Sequence, residues 1–354
     1  MYELLGRRML AEAPKGKNTL LSPLGAGYMM SQLHAAAGGQ TAAEICRAAA
    51  ITKDPDPSRV DLASFARGFK DGHAQVALAA RTYVSGPYRA PGMVEAIDIA
   101  SDPASARDTM NRWVAGQTKG GITDFLGPRD VNESTRVVVV NAIYFKAQWK
   151  TPFVLAQTGN LPFGVGTRRH AIPTMRGVMK TPYADLSERY GFTMARFPFA
   201  GDFTMTVYLP AGTASLGAIE TEITGAAGYA DAMGPRNLRV RMPKFRIDGT
   251  CNFRKVMERL NIRRLFTAGR AELPGYVPAG APAIGDLYVA RARQRCAFEV
   301  DENGAEGTQA TYAAVRSKGV STGFRDFYID RPFIFTIERG NASKRLFIGR
   351  VVNP

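Results

Sequence analysis

The sequence contains few residues of the types that build disulfide frameworks and metal sites. Among 354 residues there are three cysteines and three histidines. The cysteines are odd in number and far apart: Cys46, Cys251 and Cys296. The histidines show no spacing typical of metal ligands: His34, His73 and His170. We therefore expect buried free thiols, no disulfide framework and no metal site.

Long apolar runs are also missing. The longest, from Val137 to Phe145, is interrupted by Asn141 and is far too short to span a bilayer. Residues 1–13 lack the apolar core and small-residue cleavage site of a signal peptide, and they predict a short amphipathic helix. We expect no membrane segment. The compartment stays open, because the chain either acts where it is made or has lost a leader.

Catalytic motifs are almost absent. Gly319–Gly323 (GVSTG) fits the nucleophile elbow of hydrolases, but that motif needs a following helix and a later histidine. A strand-like segment follows it, and no histidine occurs after His170. No loop resembles a phosphate-binding or dinucleotide-binding loop. These observations predict a protein that is not an enzyme and has no cofactor.

Acidic residues are outnumbered, with 46 Lys and Arg against 31 Asp and Glu, a formal net charge of +15. Eleven basic residues lie between Arg236 and Arg270, where the only acidic ones are Asp248 and Glu258. This stretch has no stacking-aromatic pattern and no helix with a single basic face, which argues against nucleic acid. Two interpretations remain, a solvated basic surface and a polyanion partner.

The positive signals describe one mixed domain over residues 1–354, with no repeat and no shift in composition. Ser22 and Pro23 predict a helix start, and Thr41–Glu44 is a capping box that predicts a second helix. Further helices are predicted over 61–70, 108–118 and 252–260. Strands are predicted over 75–85, 136–147, 287–300, 327–337 and 346–352, with two more between 194 and 210.

Between two of the predicted strands lies a polar connection of some 25 residues within 299–332. A loop of this length inside a compact domain is either functional or disordered. Residues 304–314 are nearly all small or compatible with a strand, so this flank is a latent strand. One face would carry Ala305, Gly307 and Gln309, and the other would carry Glu306, Tyr312 and Arg316. Beyond it, Arg316 and Lys318 are cleavable residues on an exposed tip.

Several segments together resemble the serpin family of serine protease inhibitors. They occur in family order: Ser22–Pro23, 141–153 (NAIYFKAQWKTPF), Met242–Phe245, Glu302–Gly304 with small residues after it, Asp330–Phe333 and 346–354 (LFIGRVVNP). The resemblance implies an α+β serpin fold with three β-sheets, about eight helices and an exposed reactive-centre loop over about 301–326. Residues 86–108 look short for the family, and with the short start the chain resembles compact poxvirus serpins, which would imply viral immune modulation.

The resemblance implies a suicide-substrate inhibitor of trypsin-like serine proteases. The protease would form a covalent acyl-enzyme, and the cleaved loop would insert into the central sheet. The implied hinge residues are Glu302, Gly304, Ala305, Glu306, Gly307, Thr308, Gln309 and Ala310. Gly307 and Gln309 depart from the small residues usual at these positions. They keep open the alternative of a non-inhibitory serpin that is a binding or carrier protein, or one cleaved as a plain substrate.

The family position of the reactive bond, the fourteenth residue after the hinge glycine, predicts Lys318–Gly319. The alternative is Arg316–Ser317, which shortens the insertable segment by about 6 to 7 Å. The resemblance also implies a sheet-opening region at Ser22, Asn141, Trp149 and Gln294. Here Gly25 stands where a second serine is usual, and Gln294 where a histidine is usual. The implied molecule is a monomer, and the implied polyanion is a glycosaminoglycan such as heparin.

Overall fold

The computed structural model describes residues 2–49, 74–86, 88, 94–225, 229–278, 287–304, 323–340 and 344–354. The predicted helix at 61–70 lies outside these residues. So do the predicted hinge positions 305–310 and both candidate reactive bonds. Within the predicted loop of about 301–326, the described residues end at Gly304 and resume at Gly323.

The described residues form seven α-helices and fourteen β-strands, which confirms the mixed α+β class. The helices are α1 (Tyr2–Glu12), α2 (Pro23–Ala36), α3 (Gly39–Ala49), α4 (Pro103–Gln117), α5 (Ser187–Tyr190), α6 (Leu216–Gly225) and α7 (Phe253–Arg259). The strands are β1 (Thr19–Leu21), β2 (Ala74–Val84), β3 (Val94–Ala96), β4 (Val137–Ala147), β5 (Gly159–Val165), β6 (Arg168–Leu186), β7 (Phe192–Pro198), β8 (Phe203–Pro210), β9 (Gly234–Pro243), β10 (Phe245–Asn252), β11 (Val289–Val300), β12 (Arg325–Tyr328), β13 (Phe333–Arg339) and β14 (Lys344–Val351).

A five-stranded sheet has the order β10-β11-β4-β2-β3. Its central pair, β11 and β4, runs parallel, with Gln294 opposite Asn141 and Ala297 opposite Tyr144. The outer neighbours of this pair, β10 and β2, are antiparallel to β11 and β4 respectively. Strand β4 is buried on both faces from Val137 to Ile143, as parallel strands usually are, whereas β11 carries the half-buried Arg293 and Arg295 on one face.

The second sheet has nine strands, with the order β1-β14-β13-β8-β7-β6-β9-β12 and with β5 paired to β6. Strand β6 is 19 residues long and belongs to two parts of this sheet, which we call limbs. One limb contains β5, β6, β9 and β12, and the other contains β6, β7, β8, β13, β14 and β1. The end of β6 at Tyr183–Leu186 pairs with β7, while its earlier part pairs with β5 and β9. The two limbs and the five-stranded sheet correspond to the three sheets expected.

An aromatic core joins the two sheets. The ring of Phe145 on β4 makes edge-to-face contacts with Phe199 at 5.4 Å and with Phe203 at 5.0 Å between centroids. It also contacts Phe298 on β11 and Phe347 on β14. All five rings are buried, and such pairs add stability beyond the apolar area they cover. The core therefore holds the β4–β11 pair against the larger sheet.

The start of α2 forms as predicted, whereas the predicted start of α3 is wrong. Ser22 caps α2, because its hydroxyl accepts a hydrogen bond from the Gly25 N–H at 3.1 Å. Helix α3 begins at Gly39, so Thr41 lies inside it. Thr41 and Glu44 do not form a capping box. The Thr41 N–H donates to the Glu272 carboxylate, and the Thr41 hydroxyl accepts from the Glu272 N–H. The Glu44 carboxylate accepts from the backbone N–H groups of residues 263 and 264. Distant partners have replaced the local ones.

Two other boundaries differ from the prediction. Helix α4 begins at Pro103, five residues before the predicted start, because Asp102 caps it by accepting from the Ser105 N–H at 2.9 Å. The segment predicted as one strand over 327–337 is divided into β12 and β13. These two strands lie in different limbs of the large sheet, with β12 beside β9 and β13 between β8 and β14.

The three cysteines are free, and Cys296 alone among them is fully buried, while Cys46 and Cys251 are half-buried. Within the described ranges, no group of three or more His, Cys, Asp or Glu side chains could hold a metal ion. Across the same ranges, no helix has both the length and the apolar character needed to cross a bilayer.

Candidate functional site

The candidate site is the line along which β4 and β11 pair, which we call the gap because an added strand would have to enter there, together with the turn that follows β11. The chain leaves β11 at Val300 and turns at residues 301–304. A strand that returned from this turn beside β11 would run antiparallel to β11. Because β4 is parallel to β11, the same strand would also be antiparallel to β4. This gap is therefore a position where one added strand forms two antiparallel ladders, the more stable kind of pairing.

The turn itself is organised by Asp301. Its side-chain Oδ1 accepts hydrogen bonds from the N–H groups of Asn303 at 2.8 Å and Gly304 at 3.0 Å. The Asp301 N–H donates to the Gly304 carbonyl at 2.8 Å. An aspartate that bonds the backbone two residues on is a common way to close a tight turn. The direction of the chain as it leaves β11 is thus set by local hydrogen bonds.

The turn is held against the end of β4. The backbone N–H of Trp149 donates to the Asn303 carbonyl at 2.8 Å, and its indole Nε1–H donates to the Asp301 carbonyl at 2.9 Å. The Phe153 N–H donates to the Glu302 carbonyl at 2.9 Å. Trp149 is buried and stacks on Phe199 with 4.3 Å between ring centroids. Trp149 therefore lies where the turn after β11 meets the end of β4, and it bonds this turn directly.

Glu302 joins the hinge to two other elements. Its carboxylate accepts from Lys244 Nζ and from Thr158 Oγ1, each at 2.8 Å, and the residue is only 5% exposed. Burial raises the pKa of the Glu302 carboxyl, but the hydrogen bonds from Lys244 and Thr158 outweigh it and the pKa is lowered. No local sequence pattern predicts the contact with Thr158, and Lys244 belongs to the segment Met242–Phe245 without a predicted role.

Gly304 is required by the geometry. Its φ of +135° is a conformation that L side chains rarely adopt. A Cβ placed there would lie 2.1 Å from the Ala147 carbonyl oxygen and 2.7 Å from the Gln148 Cα. The only residue that fits is glycine, since the hinge passes directly over the last residues of β4. Gly304 therefore lies at the end of the β4–β11 pair, next to the last residues of β4.

At the middle of the gap, Gln294 on β11 is hydrogen-bonded to the start of α2 and to β4. Its Oε1 accepts from the Ser22 N–H at 2.8 Å, and its Nε2 donates to the Ser22 carbonyl at 3.0 Å. The same Nε2 donates to Asn141 Oδ1 at 3.0 Å. All three residues have 0% exposure. The three predicted sheet-opening residues at this level are thus brought into one buried polar cluster.

Gly25 lies next to this cluster, and its lack of a side chain leaves room for the Asn141 side chain. A Cβ at this position would lie 2.4 Å from Asn141 Oδ1 and 2.6 Å from Ile143 Cδ1. The Asn141 side chain therefore occupies the volume that a serine at position 25 would need. The departure from the family pattern at Gly25 has a physical reason. Asn141 Nδ2 is buried and has no hydrogen-bond partner in the described part of the chain.

The basic stretch from Arg236 to Arg270 is divided among β9, β10, α7 and the short helix Arg264–Phe266. Six of its cations lie within 4 Å of a carboxylate, which neutralises much of the local charge. The pairs are Arg239–Asp326, Lys244–Glu302, Arg246–Glu299, Arg254–Glu258, Arg259–Glu12 and Arg264–Glu272. The structure thus supports the interpretation of a largely solvated and internally paired basic surface.

Comparison with known proteins gives matches over the whole chain. The family model described as "Serpin (serine protease inhibitor)" matches residues 5–354. Antithrombin-III of Mus musculus is 32% identical over 265 residues, which cover 74% of this chain. The match spans 56% of that relative, so this chain covers little more than half its length. Alaserpin of Manduca sexta is 29% identical over 364 residues, covering 98% of this chain and 90% of that protein.

The structural neighbours agree. Serpin48 of the insect Tenebrio molitor, described as a highly specific serpin, has a TM-score of 0.85 and 25% identity, with coverage of 100% of this chain and 97% of that one. Native protease nexin-1 with heparin has a TM-score of 0.83 and 21% identity, with coverage of 100% and 99%. The second likeness concerns the fold alone.

The first prediction concerns the buried cluster. Asn141→Ala removes a buried side chain and one of the two acceptors of Gln294 Nε2, so we expect the closed β4–β11 pair to lose about 1 kcal/mol or more. That corresponds to a roughly fivefold or greater increase in the rate at which native monomer is lost on prolonged warming. Size-exclusion chromatography of warmed samples measures the rate. The exposed Asn160→Ala on β5 is the matched control, and an unchanged rate in Asn141→Ala would contradict the role of the cluster.

The second prediction is a pH dependence at the hinge. Because the pKa of Glu302 is lowered from its usual 4.5, ionised Glu302 stabilises the hinge at neutral pH. This stabilisation is fully present above pH 4.5 and is lost as the pH falls through the lowered pKa. Trp149 fluorescence, isolated in a Trp113→Phe background, should show this step. Glu302→Gln should lack it, and the same step in both proteins would show that another group is responsible.

Proposed function

The chain belongs to the serpin family, and on that premise we propose that it inhibits trypsin-like serine proteases as a suicide substrate. The observation that supports this proposal is the parallel β4–β11 pair, with the predicted hinge bridged to the end of β4 at Gly304. A closed parallel pair that is stabilised by a few buried hydrogen bonds can accept the segment after Gly304 as a new antiparallel strand. In this role the protein is an inhibitor and not an enzyme.

The first step is chemical and belongs to the protease. Its active-site serine attacks the carbonyl carbon of the reactive residue, and the peptide C–N bond breaks. The new amine takes a proton and leaves on the C-terminal fragment, while the N-terminal fragment stays attached to the protease as an ester. Hydrolysis of this ester would release a cleaved serpin and a free enzyme. Inhibition therefore requires that insertion be faster than hydrolysis.

The second step is mechanical. Once cleaved, residues 305 onward are free to enter between β4 and β11 from the end where Trp149 holds the hinge. Entry separates Asn141 from Gln294 and replaces one parallel ladder by two antiparallel ladders. The attached protease is carried along the sheet. Its active site is then distorted, and deacylation stops because catalysis depends on sub-ångström positioning.

The predicted inserting strand is compatible with this step. Its inward face would begin with Ala305, Gly307 and Gln309. Alanine and glycine need little space, while Gln309 would bring one amide into the sheet. An unpaired buried amide costs about 1 to 3 kcal/mol, which slows insertion but does not prevent it. A slow step favours the alternative in which the chain is cleaved as a plain substrate, and that alternative forms no lasting complex.

The deciding experiment is the reaction of the full chain with trypsin. The proposed function predicts a covalent complex that survives boiling in detergent. Complete cleavage of the chain without a complex supports the substrate alternative. No cleavage at all supports a binding or carrier role. Mass spectrometry of the released C-terminal peptide identifies the bond that was attacked.

The glycosaminoglycan effector remains a proposal. Its support is the net charge of +15 and the structural likeness to a serpin solved with heparin. The pairing of six cations in the stretch 236–270 with carboxylates reduces the charge available to a polyanion there. Acceleration of the trypsin reaction by added heparin would support the effector, and an unchanged rate would remove it.

The third prediction locates the reactive bond. Lys318 gives the full family length of insertable strand, whereas Arg316 shortens it by about 6 to 7 Å. Both residues suit a protease with a carboxylate at the base of its specificity pocket. We expect Lys318→Ala to abolish the complex with trypsin and Arg316→Ala to leave most of it.

Quantitative gels of the trypsin complex measure this difference, and Lys318→Arg serves as the conservative control that should retain the complex. The reverse pattern would place the bond at Arg316–Ser317. If both alanine variants kept the complex, the assignment of a basic specificity residue would be wrong.

A further inference from the structure

The outer face of the limb formed by β6, β9 and β12 is basic and partly apolar. Alternation along each strand places its outward residues in rows across the sheet, and we call this surface the basic face: Arg176, Val178, Lys180, Arg239, Arg241, Phe324, Asp326 and Tyr328. The register puts Arg176 opposite Arg241 and Val178 opposite Arg239. On β12, Asp326 lies opposite Arg239 and Tyr328 opposite Arg241.

The cations of the basic face are only partly neutralised. Arg239 pairs with Asp326 at 2.5 Å, and the Arg241 guanidinium lies over the Tyr328 ring at 4.0 Å from its centroid. Arg176 Nε donates to the neutral carbonyl of Gln157 at 2.7 Å. Like charges directly opposite each other, such as Arg176 and Arg241, destabilise a sheet. The charge is therefore unfavourable for folding, which indicates a role in contacts with another molecule.

Apolar side chains are exposed among these cations. Val178 is 62% exposed in the middle of the face and Phe324 is 45% exposed at its edge. A combination of arginine, aromatic and aliphatic side chains is typical of the centre of a protein–protein interface. A sulfated polysaccharide needs cations alone, so the apolar groups favour a protein as the partner.

The basic face adjoins the predicted reactive loop. Phe324 is the second described residue after the loop and immediately precedes β12. Phe324 lies only six positions after Lys318. Six extended residues span at most about 20 Å, which is less than the width of a protease domain. A protease bound at the reactive bond must therefore extend over or beside this face.

We propose that the basic face is a second contact surface for the target protease, and that it selects proteases with an acidic surface beside the part of the active site that holds the residues after the cleaved bond. The inference rests on the proposed inhibitory function. The reactive residue selects the specificity pocket, while the basic face raises the association rate for enzymes of complementary charge. Such an effect weakens as salt is added.

The test compares anionic and cationic trypsin, which share specificity for basic residues and differ in net charge. The rate constant of complex formation is measured for the wild type and for the double variant Arg176→Ala/Lys180→Ala. Neither Arg176 nor Lys180 has a carboxylate partner within the described residues. We expect the variant to react roughly tenfold more slowly with anionic trypsin and to keep its rate with cationic trypsin. The difference should disappear in about 0.5 M salt.

The control is Arg112→Ala/Arg129→Ala, which removes the same charge from exposed sites on and after α4. It should leave the ratio of the two trypsin rates within about twofold of wild type, as expected for distant exposed charges. Equal effects of the face variant on both trypsins, or no effect on either, would overturn the inference. Loss of heparin binding with unchanged trypsin rates would assign the face to a polysaccharide instead.

Failure of the proposed function is detected separately. If the wild type forms no complex with either trypsin, the suicide mechanism is wrong. Equilibrium binding of anionic trypsin with its active-site serine replaced by alanine needs no covalent step. Weaker binding by Arg176→Ala/Lys180→Ala than by the control would then still support the contact, and equal binding would refute it.

Discussion

The structure depends on the contact between β4 and β11, two parallel strands that lie side by side in a sheet whose next pairs on either side are antiparallel. The contact is closed by backbone bonds and by the buried amides of Gln294 and Asn141. It is flanked by the aromatic core on one side. A parallel pair is the less stable arrangement, so under the proposed function the sheet becomes more stable when a strand of opposite direction enters between them.

The residues of the turn after β11 have different effects on this contact. Asp301 sets the direction of the turn, and Gly304 lets the chain pass within van der Waals distance of β4. Glu302 bonds Lys244 and Thr158, and these bonds hold the turn of residues 301–304 in place. The buried cluster around Gln294 lies further along the same gap. Under the proposed function, the strength of these contacts decides how readily the sheet opens.

Charge on this protein is organised more finely than the net value indicates. Many cations in the stretch 236–270 are paired, so density along the chain overstated the charge available there. Three cations without a carboxylate partner among the described residues, Arg176, Lys180 and Arg241, lie together on the face shared by β6, β9 and β12, although these strands are far apart in sequence. Alternation within each strand and register between strands produce that face. The register between strands cannot be predicted from a short segment of the sequence.

Local features were predictable from the sequence because their partners are near in the chain. Ser22 caps α2 through Gly25, and β2, β4 and α7 follow from patterns a few residues long. The family motifs identified the fold, and the location of the site stays a prediction, because residues 305–322 lie outside the described residues. Tertiary structure decided the rest. Ser22 meets Gln294 across 272 positions, Thr41 meets Glu272 across 231, and Glu302 meets Thr158 across 144. The choice among such distant partners depends on strand order and register, and these are set by the packing of the whole core, because a local pattern specifies which face is buried but not what lies against it.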